Sequence, residues 1–173
     1  LKNTVIAIQG IQRGKPFSPK MRSIKVRLCH AQDYVIGIRN GSNFLIENLD
    51  PIKHEIATYE ISKPRYIKAN HRLLNSVKIE QISNRSLLPK STQIRKAFTH
   101  PDSREFIIKC NLHPFLQTTA WIVDNPYFSI TDENGRFIIR DIPPGTYEVI
   151  AWHPFLDPQT QTITIPSNKT ISL

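Results

Sequence analysis

The chain has 173 residues, a formal net charge of +9 and 39% hydrophobic residues. This length fits one large domain or two small ones and buries a core without staples. Thirteen prolines and six glycines argue against long helices, and no run approaches the ~18 apolar residues of a membrane span.

The charge is uneven. Residues 1–123 carry 20 Lys/Arg against 8 Asp/Glu, a surplus of 12 positive charges, whereas residues 124–173 carry 3 against 6, a deficit of 3. The split predicts two modules, 1–123 and 124–173. The basic module could meet an anionic surface or an acidic protein, with Lys63, Arg65, Lys68 and Arg72 as candidate contact residues. Nucleic acid is a poor fit, because aromatics do not interleave with the basic residues as a stacking platform requires. The chain starts without Met, which reads as a product whose leader was removed.

Thr4–Gln9 reads as a strand closed by Gly10. Ile24, Val26 and Leu28 alternate with Lys25 and Arg27, the period of a half-buried strand. Tyr34–Ile38 is a third strand, and Asn40-Gly41 predicts a tight hairpin turn into Phe44–Ile46. In the middle, Val77, Ile79 and Ile82 line one strand and Ser83–Ser91 reads as loop. Later strands are expected at Glu105–Lys109, Ala120–Val123, Tyr127–Thr131, Arg136–Arg140 and Thr146–Trp152. A final hairpin is expected from Thr160–Ile165 and Lys169–Leu173. Short strands separated by turn signals every 8–12 residues predict an all-β sandwich or barrel.

One stretch carries chemistry. The strand Glu105–Lys109 delivers Cys110 at its end, and His113 follows three residues later. Far upstream, His54 stands just after Asn48-Leu49-Asp50-Pro51. Cys and His are the ligands that copper and zinc prefer, and this spacing lets a thiolate and an imidazole reach one soft ion. At Leu116, where a thioether would complete such a set, a leucine stands.

Two family resemblances rest on these residues. Residues 1–123 resemble an exported cupredoxin-like protein of the methylamine-utilisation-like kind. The matching pieces are Gly10-Ile-Gln-Arg-Gly14-Lys15, Cys29 to Tyr34, Asn48-Leu-Asp50-Pro51-Ile-Lys-His54 and Cys110-Asn-Leu-His113-Pro114-Phe-Leu116. Residues 126–156 resemble a carboxypeptidase-regulatory, transthyretin-like β-module, through Pro126 to Asp132, Gly135-Arg-Phe137, Pro143-Pro-Gly145-Thr-Tyr147 and Trp152-His153. The resemblance implies a cupredoxin-like Greek-key sandwich followed by a small transthyretin-like sandwich. It also implies a blue-copper centre with His54, Cys110 and His113 as equatorial ligands.

The chain departs from the family pattern at several positions. Leu116 cannot coordinate in the axial place, and Gln117 beside it is one residue out of register. Asp33 and Tyr34 replace a Pro-His pair, Glu55 and Ala57 replace polar neighbours of the upstream ligand, and Glu55 brings a charge where a buried polar link is wanted. Phe115 keeps packing where the family has Trp. The resemblance also places Cys29 near the metal end, within reach of Cys110. A disulfide between them closes a loop of ~81 residues, a stabilisation of roughly 4–5 kcal/mol, and excludes copper.

The remaining candidates are bland. His153 reads as a turn-capping residue; His30, His71 and His100 read as exposed. Trp121, Trp152, Tyr127, Phe128 and Phe137 read as core. Asn40, Asn84 and Asn168 sit in chance glycosylation sequons. No nucleophilic triad or phosphate loop is present, so the reading is non-enzymatic. The first expectation is an exported, periplasmic or extracellular accessory protein without cofactor. It would be a structural subunit of a larger envelope assembly on a degenerate copper scaffold. The alternative is a periplasmic blue-copper electron carrier using His54, Cys110 and His113; a third reading is a copper chaperone or sensor.

Overall fold

The structure, a computed structural model, describes residues 1–62, 65–66, 73–74, 78–97, 103–167 and 171–172. The described residues are all-β. In chain order the strands are β1 (Val5–Ile8), β2 (Arg22–Arg27), β3 (His30–Ala31), β4 (Val35–Arg39), β5 (Asn43–Asn48), β6 (His54–Ser62), β7 (Arg65–Tyr66), β8 (Leu73–Leu74), β9 (Lys78–Leu87), β10 (Thr92–Lys96), β11 (Glu105–Cys110), β12 (Gln117–Val123), β13 (Phe128–Ile130), β14 (Gly145–His153) and β15 (Leu156–Ile165). Among the described residues no helix is long and apolar enough to cross a membrane.

The strands make three stacked layers. The first sheet has the order β10-β5-β2-β3, the second β4-β12-β11-β6-β9 and the third β13-β1-β14-β15; β7 and β8 pair separately. The stacking follows from strand periodicity, which sends successive side chains to opposite faces. In β12, Ala120 and Ile122 enter the core shared with the first sheet, beside Ile24, Val26, Phe44 and Ile46. Trp121 and Val123 on the other face meet Val5, Ala7, Ile150 and Trp152 of the third sheet. The third sheet has a second apolar face: Ile6, Ile8, Val149, Ile163 and Ile165 form another core, covered by Phe137, Ile139 and Ile142. A middle sheet buried on both faces explains why Ala120–Val123 carries no polar residue.

The third layer draws its strands from both ends of the chain. β1 lies between β13 and β14, pairing Val5 with both Ile130 and Trp152. The first strand of the chain therefore belongs to the sheet of the C-terminal segment, and a cut at residue 123 does not follow sheet membership.

Several local expectations change as well. Asn40-Gly41 makes a turn, with Gly41 at φ +73° and the Ser42 N–H donating to the Arg39 carbonyl, but not a hairpin. β4 joins β12 in the second sheet and β5 joins β2 and β10 in the first, so the turn carries the chain between layers. Leu28 does not continue the inward row of Ile24 and Val26; it is 78% exposed at the turn between β2 and β3. Ser83–Leu87 is strand, the second half of β9 paired to β6. Ile79 and Ile82 are exposed on it, and Val77 lies outside the described residues. Arg136–Arg140 is not a strand; it pairs with nothing in a sheet and packs Phe137 and Ile139 under the third layer. Of the last expected strand, Ile171 and Ser172 are irregular, and Lys169, Thr170 and Leu173 lie outside the described residues. So do Lys63, Lys68 and Arg72 of the basic cluster; Arg65 pairs with Leu74 through its backbone.

The second and third layers meet on Trp121 and Trp152, whose rings stack with centroids 4.7 Å apart. Trp152 is fully buried. Trp152→Ala is expected to cost about 3–5 kcal/mol, read as a lowered midpoint in chemical denaturation. An unchanged midpoint would show that the third layer does not depend on this contact.

Candidate metal centre

The site is assembled at one end of the first two layers. It begins with Asn48, the last residue of β5. Asn48 is buried, and its amide donates to the carbonyls of Ile52 and Leu88, each at 2.8 Å, while its side-chain oxygen accepts the Asp50 N–H at 2.9 Å. This side-chain turn mimics backbone pairing and fixes Asp50 and Pro51 ahead of β6.

Asp50 is buried and collects three donors. The N–H of Leu28 reaches Oδ1 at 2.6 Å, and Oδ2 takes the N–H of Cys29 at 2.9 Å and the Nε2–H of His54 at 3.1 Å. Burial opposes its charge, but the amides of Cys29 and Leu28 and the His54 imidazole outweigh it, holding the carboxyl below its ordinary pKa. Leu28 and Cys29 both adopt left-handed backbone, at φ +53° and +60°, across a two-residue turn whose flanks pair Arg27 with His30. That turn geometry normally selects Asn or Gly. Here a buried carboxylate holds two ordinary residues in it.

His54, the first residue of β6, has 0% exposure. Its Nε2 is committed to Asp50, so Nδ1 carries the lone pair and faces the site. A carboxylate behind a histidine is the usual support for a metal-binding imidazole. Cys110 ends β11 and is also buried. Its Sγ accepts the Glu55 N–H at 3.3 Å. The polar link beside the upstream ligand is thus supplied by backbone, and the Glu55 carboxylate is not buried unpaired; it lies 3.5 Å from Lys53 Nζ. Between Cys110 and β12 the chain closes tightly, with the Leu116 N–H on the His113 carbonyl and the Cys110 N–H on the Leu116 carbonyl, both at 3.0 Å. This turn brings His113 back over the sulfur and sends Leu116 into the core.

Three donors converge. His54 Nδ1 and His113 Nδ1 are 3.0 Å apart, and Cys110 Sγ is 3.7 Å from the first and 3.6 Å from the second. Atoms bound at ~2.0–2.3 Å to one soft ion have such separations. A single soft cation can take a lone pair from each of the three donors at once. The residues therefore fit a copper-type ion. Cys29 and Cys110 are both free thiols, so the expected disulfide is not formed. Cys29 lies beside the same two histidines: Cys29, His54 and His113 hold ligand atoms that all lie within 4.8 Å of one another.

Sequence reading brought His54, Cys110 and His113 together but cast Cys29 as a disulfide partner and passed over Asp50 as a support. Leu28 and Cys29 have none of the composition of a two-residue turn, so nothing in the sequence marked a turn at Cys29. Gln117 opens β12 opposite Lys109. His153 accepts the Phe155 N–H at 3.4 Å across the turn after β14, and His30 stacks on exposed Phe115. His71 and His100 lie outside the described residues.

Comparison with solved structures returns amicyanins. Amicyanin from Paracoccus versutus (Thiobacillus versutus) is 11% identical with a TM-score of 0.40, covering 69% of this chain and 97% of that one. The reduced state of an amicyanin mutant gives 10% and 0.41 over 69% and 98%. The reduced Cu(I) form of another mutant at pH 4 gives 8% and 0.39 over the same shares. A family profile described as polysaccharide lyase family 4, domain II matches residues 118–173, a description different from the transthyretin-like module expected there. No curated protein matches the sequence.

Asp50→Ala strips the acceptor from two turn amides and from His54. It is expected to destabilise the fold by about 3 kcal/mol, measured by urea unfolding at neutral pH. Because the folded-state pKa of Asp50 is depressed, its contribution is present above the unfolded value of ~3.9 and is lost as pH falls through the lower folded value. The gap between wild type and variant should therefore narrow in acid. A gap that is constant down to low pH would remove Asp50 from this role.

Proposed function

We propose that the protein is a non-enzymatic copper protein that carries single electrons, with His54, Cys110 and His113 as its ligands. The observation that supports this best is the convergence of Cys110 Sγ with two imidazole nitrogens, one imidazole backed by buried Asp50 and the sulfur by the Glu55 amide. Copper held by one thiolate and two imidazoles exchanges one electron between its cupric and cuprous states, and its axial bond mainly tunes the potential. Leu116 is buried in the same apolar cluster as Cys110 and offers no donor atom.

The chain's own residues suit such a role. The ligands sit at strand ends and in a closed turn, so they are held in place in advance and reorganise little. His54 is enclosed, whereas His113 is partly exposed beside exposed Leu112 and Phe115; the His113 edge is the shortest path from the centre to a partner. The surplus of 12 positive charges in residues 1–123 favours an acidic redox partner, with an association rate that falls as salt rises. The scaffold reading needs a sulfur at Cys110 that is bonded or idle, and the free thiol aimed at both imidazoles favours the carrier. Export to the periplasm, a place within an envelope assembly and a transthyretin-like character for the C-terminal sheet belong to this proposal as expectations.

Copper(II) added to the reduced protein is expected to bind at one equivalent and give intense thiolate-to-copper absorption in the visible. Cys110→Ser should abolish that band without unfolding the protein. Copper binding that is indifferent to Cys110 would overturn the proposal.

A further inference from the structure

We infer that Cys29 is a fourth ligand of this centre, which makes it a two-thiolate, two-imidazole site for a soft ion such as copper(I). The inference rests on the metal-centre reading above and goes beyond its three ligands. Its first support is distance: the Cys29 sulfur lies with the ligand nitrogens of His54 and His113, all within 4.8 Å of one another. The Nδ1 atoms of the same two histidines face the Cys110 sulfur at 3.6 and 3.7 Å. The two sulfurs therefore share one imidazole pair, and His54 and Cys110 are both buried with their donor atoms turned to it.

The second support is the cost of placing Cys29 there. A left-handed backbone is strained for a residue with a Cβ, and the turn has two such residues in succession, Leu28 and Cys29. Glycine at position 29 would give the same turn without that cost. Asp50 holds the amides of both residues with the carboxylate that orients His54. One buried acid thus sets the position of a sulfur and of an imidazole relative to each other, as two ligands of a common ion require.

The chemistry completes the case. Leu116 offers no donor, so the three-ligand set is one short of the four that a soft tetrahedral ion takes. Binding at Cys29 forms one sulfur–metal bond and releases the thiol proton to solvent. A second anionic sulfur favours retention of a soft ion and lowers the reduction potential relative to a one-thiolate centre.

The test is X-ray absorption on the full chain loaded anaerobically with one equivalent of copper(I), comparing wild type with Cys29→Gly. Glycine suits the left-handed backbone at position 29, so this variant retains or gains stability, which thermal unfolding checks. Wild type should show two sulfur neighbours and the variant one. Copper(I) affinity in competition with a chelator should fall by at least the 10–100-fold that loss of a supporting residue costs. As a second measurement, bound copper(I) should protect Cys29 from alkylation. One sulfur in both proteins with equal affinity and no protection would overturn the role of Cys29 while leaving the three-ligand centre intact. Failure of wild type to bind copper(I) at all would overturn both.

Discussion

The site depends on one buried carboxylate. Asp50 accepts from the amides of Leu28 and Cys29 and from the His54 ring, so a turn from the first sheet and a ligand from the second are fixed by the same two oxygens. An ionised carboxylate in a buried place is costly unless its lone pairs are used, and here charge-assisted bonds use them. Asn48 then fixes Asp50 itself. The hierarchy runs from an amide side chain to a carboxylate, from the carboxylate to an imidazole and a strained turn, and from these to the convergent donors.

The layered fold supplies the rigidity behind this arrangement. β11 and β12 are paired in the middle sheet; both face the core shared with the first sheet, and β12 also packs against the third, so the Cys110–Leu116 turn that joins them is anchored on two paired strands. β6, which opens with His54, pairs with β11 through six residues up to Cys110 opposite Ile56. Two ligands on adjacent, well-paired strands hold their separation without help from the ion. The third layer buries the outer face of the middle sheet through Trp152 and Val5.

Sequence alone revealed the all-β class and most strands, because period-two alternation and turn residues are local signals. It did not reveal which sheet a strand joins. Asn40-Gly41 has the composition of a hairpin yet crosses between layers, and Val5–Ile8 is completed by strands more than a hundred residues later. Arg136–Arg140 alternates like a strand, but it packs Phe137 and Ile139 against the third sheet and pairs with no strand. At the site, Cys110 and His113 share one turn and could be read together, and His54 came from its Asn-x-Asp-Pro setting. The resemblance placed Cys29 at the metal end but paired it with Cys110, whereas both thiols are free. The rival partners, two imidazoles from other elements, become neighbours only through the hydrogen bonds of Asp50.

The most direct measurement is anomalous diffraction at the copper edge from crystals of the full chain grown anaerobically with copper(I). The account predicts one strong peak within ~2.0–2.3 Å of His54 Nδ1, Cys110 Sγ, His113 Nδ1 and Cys29 Sγ, with Asp50 still on His54 Nε2. A map with no peak among these residues, or with the sulfurs of Cys29 and Cys110 bonded to each other, would contradict it.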